Sequence, residues 1–104
     1  MSRKQEAKDL SVKIWTWLSE NDGKGKKDMP YELKEELIDF MGITIISDRD
    51  CPLCLILECS ECPVLVNAVT CHSIYSLFYN WFKNGYNSLY STQILRHIES
   101  WEVD

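Results

Sequence analysis

The chain has 104 residues, 45% of them hydrophobic and 12% aromatic, and a formal charge of -5. That length fits one domain, and the apolar content is too high for a disordered chain. The acidic balance argues against broad attachment to nucleic acid or to an anionic membrane, because both rest on dense positive charge. The opening residues, Met1 to Asp9, lack the apolar core of a secretory signal, and no stretch approaches the length of a membrane span. The expectation is a cytoplasmic protein, where clustered cysteines serve as metal ligands or redox thiols more often than as disulfides.

In chain order, Ala7, Leu10, Ile14, Trp17 and Leu18 recur at steps of three and four, with Lys8, Asp9 and Lys13 elsewhere on the wheel. This spacing predicts an amphipathic helix from about Lys4 to Glu20, with Trp15 bordering its apolar face. The polar run Asn21 to Lys27, holding Gly23 and Gly25, ends it. Lys24, Lys26 and Lys27 lie there between Asp22 and Asp28, and such a charge run reads as a solvated loop.

Asp28 is placed to cap a second helix with Pro30 in its first turn, where a missing N–H costs nothing. Leu33, Leu37, Ile38 and Met41 form its buried stripe, Glu32, Glu35, Glu36 and Asp39 its outer face, and Gly42 its left-handed end. Ile43 to Ile46 is an extended connector with no second strand to pair with it. Asp50 followed by Cys51-Pro52 reads as an N-cap and a proline in the opening turn of a short helix.

Four cysteines then fall as Cys51-Pro-Leu-Cys54 and Cys59-Ser-Glu-Cys62-Pro63, with Cys71 beside His72 further on. A tight turn presents both sulfurs of a CxxC to one ion, so the two pairs suit a tetrahedral structural zinc. The gap from Leu55 to Glu58 is shorter than is common between such pairs. The regular pairing favours Cys51, Cys54, Cys59 and Cys62 as ligands, with Cys71 or His72 as substitutes for one of them. Disulfides and an Fe–S cluster are the alternatives, although the spacing departs from that of bacterial ferredoxins. A redox dithiol at Cys51 and Cys54 lacks the thioredoxin βαβ pattern around it.

Val64 to Val69 is too short an apolar run to assign. From Ser73 onward, Ile74, Leu77, Phe78, Trp81 and Phe82 predict a helix that ends before Gly85, with Tyr75, Phe78, Trp81 and Phe82 as core aromatics. Asn87 is a candidate cap for a last helix whose face carries Tyr90, Ile94, Leu95, Ile98 and Trp101, joined to its predecessor as a helical hairpin. His97, beside Arg96 on that helix and with no paired Ser, Asp or Cys accompanying it, reads as a surface or boundary residue rather than a base.

The order CxxC, CxxCP and a further Cys, followed by Tyr79-Asn80-Trp81 and Ile94-Leu95, resembles short cysteine-rich proteins of phage and prophage type. The resemblance spans about half the chain, from Cys51 onward. It implies a viral or mobile-element protein acting in a host cytoplasm and brings no activity with it.

The expectation is therefore a mainly α domain of four or five helices over residues 1–104. It comprises an N-terminal helical pair at 1–42, a cysteine-rich connector at 43–72 and a C-terminal hairpin at 73–104. No nucleotide loop, nucleophile elbow or HExxH pair is present, so a non-enzymatic protein-binding module, an adaptor or inhibitor stapled by zinc, is the leading function. Its contact surface is expected to be an exposed aromatic patch with an acidic rim. A thiol-redox or Fe–S electron-transfer protein is the alternative, and a nucleic-acid-binding regulator using Lys24, Lys26 and Lys27 the third.

Overall fold

A computed structural model describes residues 3–48, 50–56 and 77–102, with Cys54 and Ile56 described by backbone alone. The chain is mainly helical. Helix α1 spans Arg3–Glu20, a 3-10 turn Lys26–Asp28, α2 Tyr31–Met41, α3 Pro52–Ile56, α4 Leu77–Lys83 and α5 Ser88–Ser100. No strand occurs among the described residues, so Ile43 to Ile46 is an irregular connector. No described helix is long and apolar enough to cross a membrane.

Helix α1 is the central element. Its expected face is buried at Ala7, Leu10, Ile14 and Leu18, and Trp15 is buried as well, while Trp17 is half-buried. Helix α5 lies along it with Ile94 and Ile98 fully buried. Small side chains at Ser11 and Ser91, both inaccessible, reduce the bulk where these helices pack. The Lys8 ammonium donates to the carbonyls of Glu99 and Trp101, satisfying acceptors at the end of α5.

The caps follow sequence in two places and depart from it in two. The Asn87 side chain accepts from the Leu89 amide at 2.8 Å, capping α5 as expected. Gly42 adopts φ +67° and donates to the Ile38 carbonyl at 2.9 Å, ending α2 in the left-handed turn. Asp28, by contrast, does not cap α2. Its carboxylate accepts from the Gly25 amide at 2.9 Å and closes the 3-10 turn instead, and α2 begins after Pro30. Asp50 likewise accepts from the Ser47 amide at 2.7 Å, so α3 opens one residue later than expected, with Pro52 in its first position.

Helix α4 is described from Leu77, and its expected earlier part, Ser73 to Ser76 with Ile74 and Tyr75, lies outside the described residues, as does Val64 to Val69. Phe78 and Trp81 are buried, but Phe82 is 46% exposed and is not a core residue. The stripe is narrower than its spacing predicts: one residue beyond buried Trp81, Phe82 packs edge-on to Tyr86, ring centroids 6.0 Å apart. Trp81 is the hub of the aromatic core. It meets Trp15 edge-to-face at 5.0 Å, Phe78 at 5.9 Å and Tyr86 at 4.9 Å, geometries in which ring quadrupoles attract.

Candidate functional site

Of the predicted ligands, Cys51 is buried and immediately precedes α3, whose Leu53 is fully buried where α3 packs on α1 and α2. Cys54 is on α3, so positions 51 and 54 stand one helical turn apart at its start. Cys59, Cys62, Cys71 and His72 lie outside the described residues. Among the described residues, no three His, Cys, Asp or Glu side chains gather as a metal ion would require. His97 is exposed near the end of α5, in keeping with a surface residue.

The start of the cysteine segment is fixed from below by residues that the sequence placed in a solvated loop. Lys24 and Lys27 are exposed, but Lys26 is only 1% exposed. Its ammonium donates to the carbonyl of Asp50, the residue before Cys51, and sits 5.1 Å from the Trp15 ring and 5.6 Å from that of Phe78. The loop expectation fails here because the lysine stem is covered by apolar surface while its head finds a carbonyl and two π faces. Lys24, Lys26 and Lys27 accordingly do not share one solvated basic face.

Asp48 completes this anchor. Its carboxylate accepts the Lys26 amide at 3.2 Å and the Tyr86 hydroxyl at 2.6 Å, joining the 3-10 turn, the cysteine approach and the α4–α5 loop. The bond to Asp48 is the main cause, with burial second, that pushes the Tyr86 phenol up to about 12. Tyr86 takes φ +60°, unusual for a residue with a Cβ, and the Tyr86 carbonyl accepts the Gly23 amide at 3.0 Å. Gly25 must lack a side chain: a Cβ there would lie 2.9 Å from Asp48 Oδ1 and 3.0 Å from the Tyr86 ring.

A second feature lies on the other side of that turn. Lys27, Tyr31, Lys34, Ile38, Thr44, Ile45 and Ile46 line an open groove of about 450 Å³ between α2 and the connector that follows it. Tyr31 is 70% exposed and Ile45 80%, the two most exposed large apolar side chains among the described residues. The Tyr31 hydroxyl donates to Glu35 Oε1 at 2.6 Å, which raises its pKa and fixes the ring at the mouth. Lys27 and Lys34 supply the charged side chains of the lining, with the Glu35 carboxylate beside Tyr31.

A second groove of about 430 Å³, between α1 and α2, has Leu10 and Phe40 beneath Glu6, Asp9, Glu36 and Asp39. It matches the expected aromatic patch with an acidic rim more closely in charge, but its aromatic surface is covered. The Arg3 guanidinium stacks on Phe40 at 4.0 Å, and Lys13 bridges to Glu36 at 3.0 Å. Sequence reasoning missed the first groove because Ile38 was assigned to the buried stripe. The available signal was Tyr31, Lys34 and Ile38 at i, i+3 and i+7, an apolar-basic line on one side of α2. Comparison with known protein families, curated proteins and solved structures finds no match to this chain.

Proposed function

We propose that the protein is a small non-enzymatic protein-binding module, an adaptor or inhibitor, whose cysteine segment is stapled by zinc. The observation that carries the binding reading is the pair Tyr31 and Ile45, 70% and 80% exposed, facing one groove with half-buried Ile38 and buried Ile46 behind them. Large apolar side chains concentrated at one groove gain by being covered, and a partner's anchor residue covers them.

Zinc is proposed at Cys51, Cys54, Cys59 and Cys62, with Cys71 or His72 as substitute ligands. Two features of the described residues support that reading. The α3 start, with Pro52 at its first position, sets positions 51 and 54 one helical turn apart, and the buried Lys26 holds the Asp50 carbonyl immediately before them. Bound zinc would cross-link the segment as a structural ion. The phage or prophage origin and the cytoplasmic location remain part of this proposal, on the strength of the cysteine pattern and the composition.

The binding reading is tested by selecting a displayed random-peptide library on the wild-type protein and on the Ile45→Asp variant. Peptides enriched by the wild type and lost with the variant support it. Selection of the same peptides by both proteins, or of none by either, contradicts it. Because Ile45 is exposed, the variant is expected to keep its stability within about 0.5 kcal/mol, checked by thermal unfolding.

A further inference from the structure

The groove that holds Tyr31 and Ile45 differs from the rest of this acidic chain in the sign of its rim. Lys27 and Lys34 both line it. The Lys34 ammonium reaches only the Lys27 backbone carbonyl, at a long 3.4 Å, and among the described residues neither ammonium meets a carboxylate. Three nearby acids keep their charge, Glu35 at the groove's own mouth, but each is held by a hydrogen-bond donor other than these lysines. Asp28 accepts from the Gly25 amide, Glu35 from the Tyr31 hydroxyl, and Asp48 from Lys26 and Tyr86. Two cations that form no ion pair among the described residues therefore line a groove with exposed Ile45 at its mouth and Ile38 and Ile46 behind it, in a protein whose formal charge is -5.

We propose that the groove takes a short acidic-apolar peptide segment of a partner protein, a deepening that rests on the protein-binding reading above. An apolar side chain of the segment packs on Ile45 beside the Tyr31 ring, and carboxylates on either side of it meet Lys27 and Lys34. The chain's overall negative charge repels such a segment at long range. Screening confines charge effects to about 8 Å at physiological salt, so contact with the two lysines decides the preference. Two exposed ion pairs of ordinary strength change an affinity by up to about tenfold together.

The test repeats the peptide selection with the wild type, with Ile45→Asp and with the double variant Lys27→Gln/Lys34→Gln, and measures the Kd of synthetic copies of the enriched peptides. The expected result is enrichment of Asp and Glu beside an apolar anchor. Affinity should fall by up to about tenfold in the lysine variant and vanish in Ile45→Asp. Peptides that need Ile45 but carry no acidic excess, and bind the lysine variant equally well, overturn the acidic partner and leave the groove standing. Peptides indifferent to Ile45, or no enrichment at all, overturn both. Both lysines are outside the core, and circular dichroism of each variant confirms that the fold is kept.

Discussion

Lys26 shows how little a charge run says about its own burial. Neighbours at Lys24 and Lys27 are exposed, yet the acceptor that holds Lys26 belongs to Asp50 and the rings beneath it to Trp15 and Phe78, which are distant in sequence. Lys26→Met keeps the stem and removes the ammonium, leaving the Asp50 carbonyl without that donor. Its expected cost is about 1–3 kcal/mol, read as a lower denaturation midpoint. At Gly25 the sequence signal was a flexible loop glycine, whereas the structural demand is space: Gly25→Ala forces a Cβ against Asp48 and Tyr86 and should destabilise by about 1–3 kcal/mol in urea unfolding. Tyr86 adds a pH dependence. A phenol raised from 10.0 to about 12 on folding contributes stability that is complete below pH 10 and lost as pH climbs through 12. The phenolate absorbance should show Tyr86 ionising late, in addition to the raised Tyr31, and Tyr86→Phe should remove its share of the late rise together with this part of the alkaline stability loss.

At the scale of elements, the helices with long periodic patterns were legible. The apolar faces of α1 and α5 were legible from spacing, and Asn87 and Gly42 from capping chemistry, because those signals act within a few residues, whereas of the α2 stripe only Leu37 is buried, with Leu33, Ile38 and Met41 half-buried. Asp28 and Asp50 misled for the complementary reason. A carboxylate before a proline can cap a helix or close the preceding turn, and the Gly25 and Ser47 amides decide between these outcomes. Phe82, 46% exposed, shows that spacing marks the apolar side of a helix but not how much of that side a neighbour covers. Gly42→Ala should cost about 1 kcal/mol, measured by thermal unfolding, since an alanine at φ +67° is strained even where nothing crowds it.

On the scale of the whole molecule, α1 is packed by α5, α3 and α2, so the approach to the cysteines is built on the same helix as the rest of the core. Trp81→Ala should therefore destabilise by about 3–5 kcal/mol in denaturant unfolding, because the ring contacts Trp15, Phe78 and Tyr86 at once. Net charge pointed to an acidic contact surface, but the groove with the two most exposed large apolar side chains among the described residues carries lysines: composition sums over the chain, whereas a partner meets a local rim. The cysteine cluster was legible as a constellation, and the structure describes its first pair only through the Cys51 side chain and the α3 backbone. The zinc staple is tested most directly by native mass spectrometry of untagged protein, before and after chelation and reduction. The account predicts one excess zinc ion per chain, released by chelator, with the cysteines free as thiols after denaturation. A protein without metal, whose cysteine pairs have each lost two protons to disulfides, would contradict it.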